Sequence, residues 1–192
     1  AGGFAQVLQT LCGDWLADPT ALCLISGMAG SAQGWALAPY CPCPAGFADI
    51  AGHLHWLEQN RLAIVPGLCC EHPHAPDVMR GEEVQILGAL ALSGRRSARL
   101  VLPGTHSKWV QVNNGQVSSF QTFMTGEIFA ALRQHTILAR TLPAEQDAAA
   151  LDVPAFTQAV RQSLQAGHLL HQVFGTRTLA LFERADPNQL LS

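Results

Sequence analysis

Leu100-Val101-Leu102-Pro103-Gly104-Thr105-His106-Ser107-Lys108-Trp109-Val110-Gln111-Val112 is the stretch that decides the fold. An apolar run enters the turn Pro103 to Lys108, and the alternating run Trp109-Val110-Gln111-Val112 leaves it. Two strand-like segments joined by a tight, glycine-containing turn predict a β-hairpin. The turn carries Gly104, the hydroxyls of Thr105 and Ser107, the His106 imidazole and the Lys108 ammonium. A backbone that a ligand can approach closely, with donors on each side, suits an anion, and phosphate is the commonest. The same six residues also suit a polar hairpin tip that binds nothing.

Downstream, Asn113-Asn114-Gly115 is a type I′ turn signal, and 117–123 supplies a third strand, so 98–123 reads as a meander. Thr125-Gly126-Glu127 then opens a helix to about Leu138, with Thr125 as N-cap and Glu127 in its first turn. Residues 143–152 are acidic and alanine-rich and read as a loop. Residues 153–183 read as helical, with breaks near Gly167 and Gly175.

Upstream, the polar residues 93–96 mark a lobe boundary, dividing 1–94 from 97–192. Before them, Asp77 fits the N-cap of a helix with Glu82 and Glu83 in its first turns and Val84, Leu87, Leu90 and Ala91 on its apolar face. That segment is either a well-capped helix or a carboxylate and a guanidinium, Arg80, presented together at a helix start. Leu62 to Val65 is a short buried strand stopped by Pro66-Gly67, and 47–59 reads as a helix with Ile50, Leu54 and Leu57 inward. Residues 36–46 form a proline- and cysteine-rich loop. A buried strand at 21–25 leads into Ser26-Gly27-Met28-Ala29-Gly30-Ser31-Ala32-Gln33-Gly34-Trp35, a glycine-rich loop at a strand's carboxyl end, where open α/β sheets bind ligands. It matches neither a dinucleotide fingerprint nor a Walker loop. Residues 4–17 read as an amphipathic helix built on Phe4, Val7, Leu8, Leu11 and Leu16, stopped by Asp18-Pro19.

Composition narrows the classes. The 192 residues are 48% hydrophobic and 13% charged, with a net charge of −3, so the chain can bury a sizeable core. No basic run exceeds Arg95-Arg96, which argues against nucleic acid or a membrane surface as partner. No apolar run is long enough to span a bilayer, and Ala1-Gly2-Gly3-Phe4 does not read as a signal peptide. The six cysteines are not spaced as a secreted scaffold needs, so reduced thiols and a cytoplasmic location are expected. Cys69, Cys70, His72 and His74, with Cys41 and Cys43, lack zinc-site spacing, and no metal site is assigned to them.

Five segments in order carry a resemblance: 26–35 (Ser-Gly-Met-x-Gly-Ser-x-x-Gly-Trp), 66–68 (Pro-Gly-Leu), 78–83 (Val-Met-Arg-Gly-Glu-Glu), 103–110 (Pro-Gly-Thr-His-Ser-Lys-Trp-Val) and 124–127 (Met-Thr-Gly-Glu). Together they resemble the 2-dehydro-3-deoxygalactonokinase family of the actin/hexokinase/Hsp70-like superfamily, from about residue 4 to the end. The resemblance implies an α/β fold made of parts of two ribonuclease-H-like lobes, with 80–92 as the interlobe helix and 98–112 as the strand–turn–strand that holds the ATP β/γ-phosphates. An Asp-x-Gly-x-Thr-like phosphate loop and an adenosine-binding segment do not occur in these residues, so the chain reads as the central part of a longer enzyme.

The implied activity is transfer of the ATP γ-phosphate, with Mg²⁺, to the 6-hydroxyl of the sugar acid 2-dehydro-3-deoxy-D-galactonate. The gluconate epimer is the alternative substrate, and a homodimer is the assembly considered. Gly104, Thr105, His106 and Ser107 would cradle phosphate, and Lys108 would offset charge on the γ-phosphate or bind the substrate carboxylate. Glu82, Glu83 or Asp77 would address the sugar hydroxyl. Gly27, Met28, Ser31, Trp35, Arg80 and Glu127 would line the sugar side, Arg80 taking the carboxylate. Two other classes stay open. One is a hydrolase on Thr105, His106 and Ser107, disfavoured because neighbours on a strand face opposite ways. The other is a sugar-acid-binding module without catalysis.

Overall fold

The computed structural model describes residues 2–143 and 150–192, and most of the loop expected at 143–152 lies outside the described residues. It is a mixed α/β structure whose contacts divide it into two compact units, 1–124 and 125–192.

The first unit carries three three-stranded sheets. In the first, β1 (Cys23–Ile25) runs parallel to β4 (Leu62–Ile64), and β3 (His55–Glu58) pairs antiparallel with β4. In the second, β2 (Tyr40–Pro42) is parallel to β5 (Gly67–Cys70), with Tyr40 opposite Gly67, and β5 is antiparallel to β6 (Asp77–Met79), with Leu68 opposite Met79. The third is the meander β7 (Ala98–Leu102), β8 (Ser107–Asn113) and β9 (Gln116–Phe123), in the order expected. Asn114 and Gly115 have φ of 51° and 83°, the paired positive values a type I′ turn demands, which is why Asn-Gly stands there.

One core joins the second and third sheets. Cys41, Leu68 and Met79 pack with Val110, Val112, Val117 and Phe120, closed by Ile50 of α2 (Phe47–Gly52) and by Ile86 and Leu90 of α3 (Glu82–Ser93). The β-strand period of two puts Val110 and Val112 inside and Trp109 outside. Residues 93–96 connect α3 to β7 within this unit.

Three local expectations are corrected. Asp77 is not an N-cap: it begins β6, and α3 starts five residues later with Gly81 as its N-cap, because Asp77–Met79 finds hydrogen-bonding partners on β5. The helix expected over 47–59 ends at Gly52, and His55–Glu58 is a strand claimed by β4. At the start, α1 (Gly2–Leu16) forms, yet Leu11 is 75% exposed and Val7 56%, so the stripe assigned to it faces outward in part.

The second unit is helical. It holds α4 (Thr125–His135), a 3-10 turn at Ile137–Arg140, α5 (Val153–Ala166), α6 (Leu169–Leu181) and α7 (Pro187–Leu191). Asp152 caps α5, accepting from the Ala155 amide at 2.9 Å, and Asp186 caps α7 with a reciprocal bond from Gln189. A break occurs at Gly167 as expected, but α6 runs through Gly175 without one. Among the described residues no helix is long and apolar enough to cross a membrane.

Candidate active site

The first unit contains a cleft of about 540 Å³ whose walls come from four places. Met28 comes from the glycine-rich loop and Tyr40 from β2. Val78 to Glu82 and Gln85 come from the β6–α3 junction, and Leu102 to His106 with Lys108 from the hairpin. The expected segments around 26–35, 78–83 and 103–108 thus meet at one place. Clefts of similar size on the helical unit are lined chiefly by glutamine, threonine and small or apolar side chains.

Gly81 makes the junction possible. It holds φ +110°, a conformation side-chain-bearing residues rarely adopt, and it lets β6 turn directly into α3. Its amide donates to Glu83 Oε2 at 2.7 Å, and the Arg80 amide donates to Glu82 Oε2 at 3.1 Å. Two adjacent carboxylates at the helix start therefore reach back to the amides of Gly81, the N-cap residue, and of Arg80 before it, and helix phase sends the two side chains different ways. Glu82 stays on the cleft wall, about a quarter exposed. Glu83 turns inward, fully buried, and accepts from the Ser26 hydroxyl at 3.4 Å. Burial pushes the Glu83 carboxyl above its ordinary value, against the opposing pull of its backbone hydrogen bonds.

Lys108 enters the cleft from the far side, buried along its stem. Its Nζ donates to the Val78 carbonyl and to Thr122 Oγ1, both at 3.0 Å, and stands 4.0 Å from Glu82 Oε1. An ammonium has three donors. Two are spent locking β8 to β6 and β9, so the group is fixed with its remaining capacity toward the Glu82 side. At the hairpin tip, the Gly104 amide donates to Ser107 Oγ at 3.3 Å, and that hydroxyl lies 3.5 Å from the Gly104 carbonyl, closing the turn. Ser107 is buried, while Gly104, Thr105 and His106 are exposed at the cleft mouth.

Arg80 has a distinctive setting. Nη2 donates to the Ala38 carbonyl at 2.8 Å and Cζ lies 4.4 Å from the centre of the Tyr40 ring. Nε and Nη1 are buried without a hydrogen-bond partner among the described residues. A desolvated guanidinium with unmet donors is costly unless an anion meets it.

Other expected residues lie elsewhere. Asp77 is not on the cleft wall: its Oδ2 accepts from the Thr122 amide at 3.2 Å and lies 3.7 Å from His72 Nε2, which donates to the Phe120 carbonyl at 2.8 Å. Trp35 stacks on Phe4 at 6.1 Å, and Ser31 Oγ is buried without a partner among the described residues. Gly27 (φ +93°) backs onto Gly81, whose added Cβ would stand 3.4 Å from its Cα. Glu127 lies in the first turn of α4, in the other unit. Sequence reasoning missed Tyr40 and Gln85; the chain's single tyrosine, inside a proline-rich stretch, was the available signal for the first. Among the described residues no three His, Cys, Asp or Glu side chains are grouped to hold a metal ion, and the cysteines are free thiols.

A profile of the 2-keto-3-deoxy-galactonokinase family matches residues 1–192. The chain belongs to this family. It is 38% identical over 191 residues to the 2-dehydro-3-deoxygalactonokinase of Escherichia coli, covering 98% of this chain and 63% of that protein. It is 44% identical over 163 residues to the probable 2-dehydro-3-deoxygalactonokinase DgoK1 of Rhizobium meliloti, covering 77% of this chain and 53% of that one. A crystal structure of a Sinorhizobium meliloti protein given the same kinase name superposes with a TM-score of 0.87 at 39% identity, over 99% of this chain and 64% of that one. The chain thus spans less than two thirds of the length of these galactonokinase relatives.

Proposed function

We propose that the cleft is the acceptor and phosphate-facing part of an ATP-dependent sugar-acid kinase that phosphorylates the 6-hydroxyl of 2-dehydro-3-deoxy-D-galactonate. One observation carries the reading: Arg80, Glu82 and Lys108 converge with the hairpin backbone 102–106 in a single cleft. The lobe assignment of the resemblance belongs to the same proposal, with 1–94 facing the sugar and the hairpin of 97–192 facing phosphate.

Phosphoryl transfer asks a protein mainly for positioning and charge neutralisation. In this reading Arg80 receives the sugar carboxylate. Lys108, held rigid by Val78 and Thr122, offsets charge on the transferring group. The turn backbone around Thr105, exposed at the cleft mouth, approaches phosphate oxygens. Glu82 accepts or orients the proton of the attacking hydroxyl. Glu83 is walled off from the cleft by its own burial, and Asp77 is occupied with β9 and His72. Mg²⁺ travelling with nucleotide takes most of its ligands from phosphate and water, so a protein cage is not required, and Glu82 is the carboxylate on this wall that would face it.

The test is a phosphotransfer assay on the native enzyme with ATP and the sugar acid, run against the gluconate epimer and a neutral 3-deoxy sugar of the same length. The expected result is 6-phosphorylation of the galactonate acid and little of the neutral sugar. Equal use of acid and neutral sugar removes the role given to Arg80.

A further inference from the structure

The Arg80 guanidinium is seated by groups that do nothing else evident in the cleft. The Tyr40 ring lies beneath it at 4.4 Å, and the Ala38 carbonyl holds Nη2 at 2.8 Å. Two glycines make room. A Cβ at Gly30 would stand 2.9 Å from Nη1 and 2.8 Å from Ile64 Cγ2. A Cβ at Gly67, the residue opposite Tyr40 in the β2–β5 pairing, would stand 2.7 Å from the Tyr40 ring and 2.3 Å from the Met79 carbonyl. Arg80 forms no ion pair among the described residues: the protein supplies an aromatic face, one hydrogen bond and space, with the buried Glu83 carboxyl near enough to feel its charge but not in contact.

We propose that Tyr40 is a positioning residue: with Gly30 and Gly67 it holds the Arg80 guanidinium in place on the cleft wall to receive a carboxylate, and this seat, rather than charge alone, sets the preference for sugar acids over neutral sugars. The inference rests on the Arg80 role proposed above. A guanidinium held over an aromatic face is fixed in place without spending its hydrogen-bond donors on the ring, and its fork of donors suits a planar, two-oxygen partner. Tyr40 is itself 37% exposed and its hydroxyl makes no hydrogen bond among the described residues, so the ring face is what the seat uses.

The experiment compares kcat/KM for 2-dehydro-3-deoxy-D-galactonate with that for its primary amide, in the native enzyme and in variants. Tyr40→Met, similar in bulk but without a π face, is expected to raise KM for the acid on the order of tenfold, with kcat little changed, and to narrow the acid-to-amide ratio by a similar factor. Tyr40→Phe, which keeps the face, restores the ratio. Gly30→Ala, which pushes on Nη1, narrows it independently should Tyr40→Met fold poorly. Arg80→Met abolishes the preference. If Arg80→Met loses the preference while Tyr40→Met and Gly30→Ala keep it, the seat is overturned and the Arg80 role stands. If Arg80→Met keeps the preference, the Arg80 role falls and the seat with it. If Tyr40→Phe behaves like Tyr40→Met, the hydroxyl is the working group and the stacking argument is overturned.

Discussion

Lys108 and Glu83 show how single residues divide between chemistry and framework. In the proposed function Lys108 does both: two of its donors tie β8 to β6 and β9, and its remaining side, toward Glu82, is the one given the role in phosphotransfer. Lys108→Met keeps the stem packed and removes the charge, so phosphotransfer is expected to fall by on the order of 10²–10³, with Tm falling only a few degrees. A steady-state assay beside a thermal melt separates the two, and near-normal turnover would make the lysine purely structural. Glu83 is framework alone in this account. Its pKa is raised, so the folded state holds the proton to higher pH than the unfolded chain does. The stability it contributes is present below the ordinary carboxylate value and is lost as pH rises through the folded value. Glu83→Gln can keep both contacts, to Gly81 and Ser26, without a charge. Melts across pH 4–8 are therefore expected to show the variant gaining on the wild type as pH rises, with kcat within a few-fold. A variant that loses ground toward pH 8 would mean that the charged form is the one the site favours.

At the scale of elements, α6 offers a plain test. Gly175 sits inside a continuous helix with nothing within 4 Å of an added Cβ. Gly175→Ala is expected to stabilise by about 0.5–1 kcal/mol, seen as a Tm rise of a few degrees. A fall would show that α6 needs the glycine's freedom. The same glycine had suggested a break, and the error is instructive: glycine lowers helix propensity without forbidding a helix whose flanks are strong. The meander 98–123 was legible because its alternation and its Asn-Gly turn are local. The strands β3, β5 and β6 were not: β3 meets its neighbour β4 across a register shift at Trp56–Glu58, and β5 and β6 are short strands whose sheet is completed only by β2, far back in the sequence. The site divides the same way. Its segments could be read from short motifs, but the spacing of Glu82 and Glu83 could not say which faces the cleft, since helix phase begins only where Gly81 lets the chain turn. Tyr40 reaches Arg80 through two strand pairings that no local pattern records.

For the molecule as a whole, the cleft belongs entirely to the first unit: Glu82, the base proposed above, stands on its wall, and Glu127 lies in the helical unit. An in-line transfer needs the base on the sugar's side of the phosphate, and Glu82 is the carboxylate on the cleft wall, 4.0 Å from the Lys108 ammonium. The most direct measurement is steady-state phosphotransfer by Glu82→Gln in the native enzyme, with Glu127→Gln alongside. A positioned general base contributes roughly 10²–10⁴ in rate. The account predicts a kcat lower by about that factor in Glu82→Gln with KM for the sugar acid little changed, and a far smaller loss of kcat in Glu127→Gln. Near-normal kcat in Glu82→Gln with the loss appearing in Glu127→Gln would contradict it.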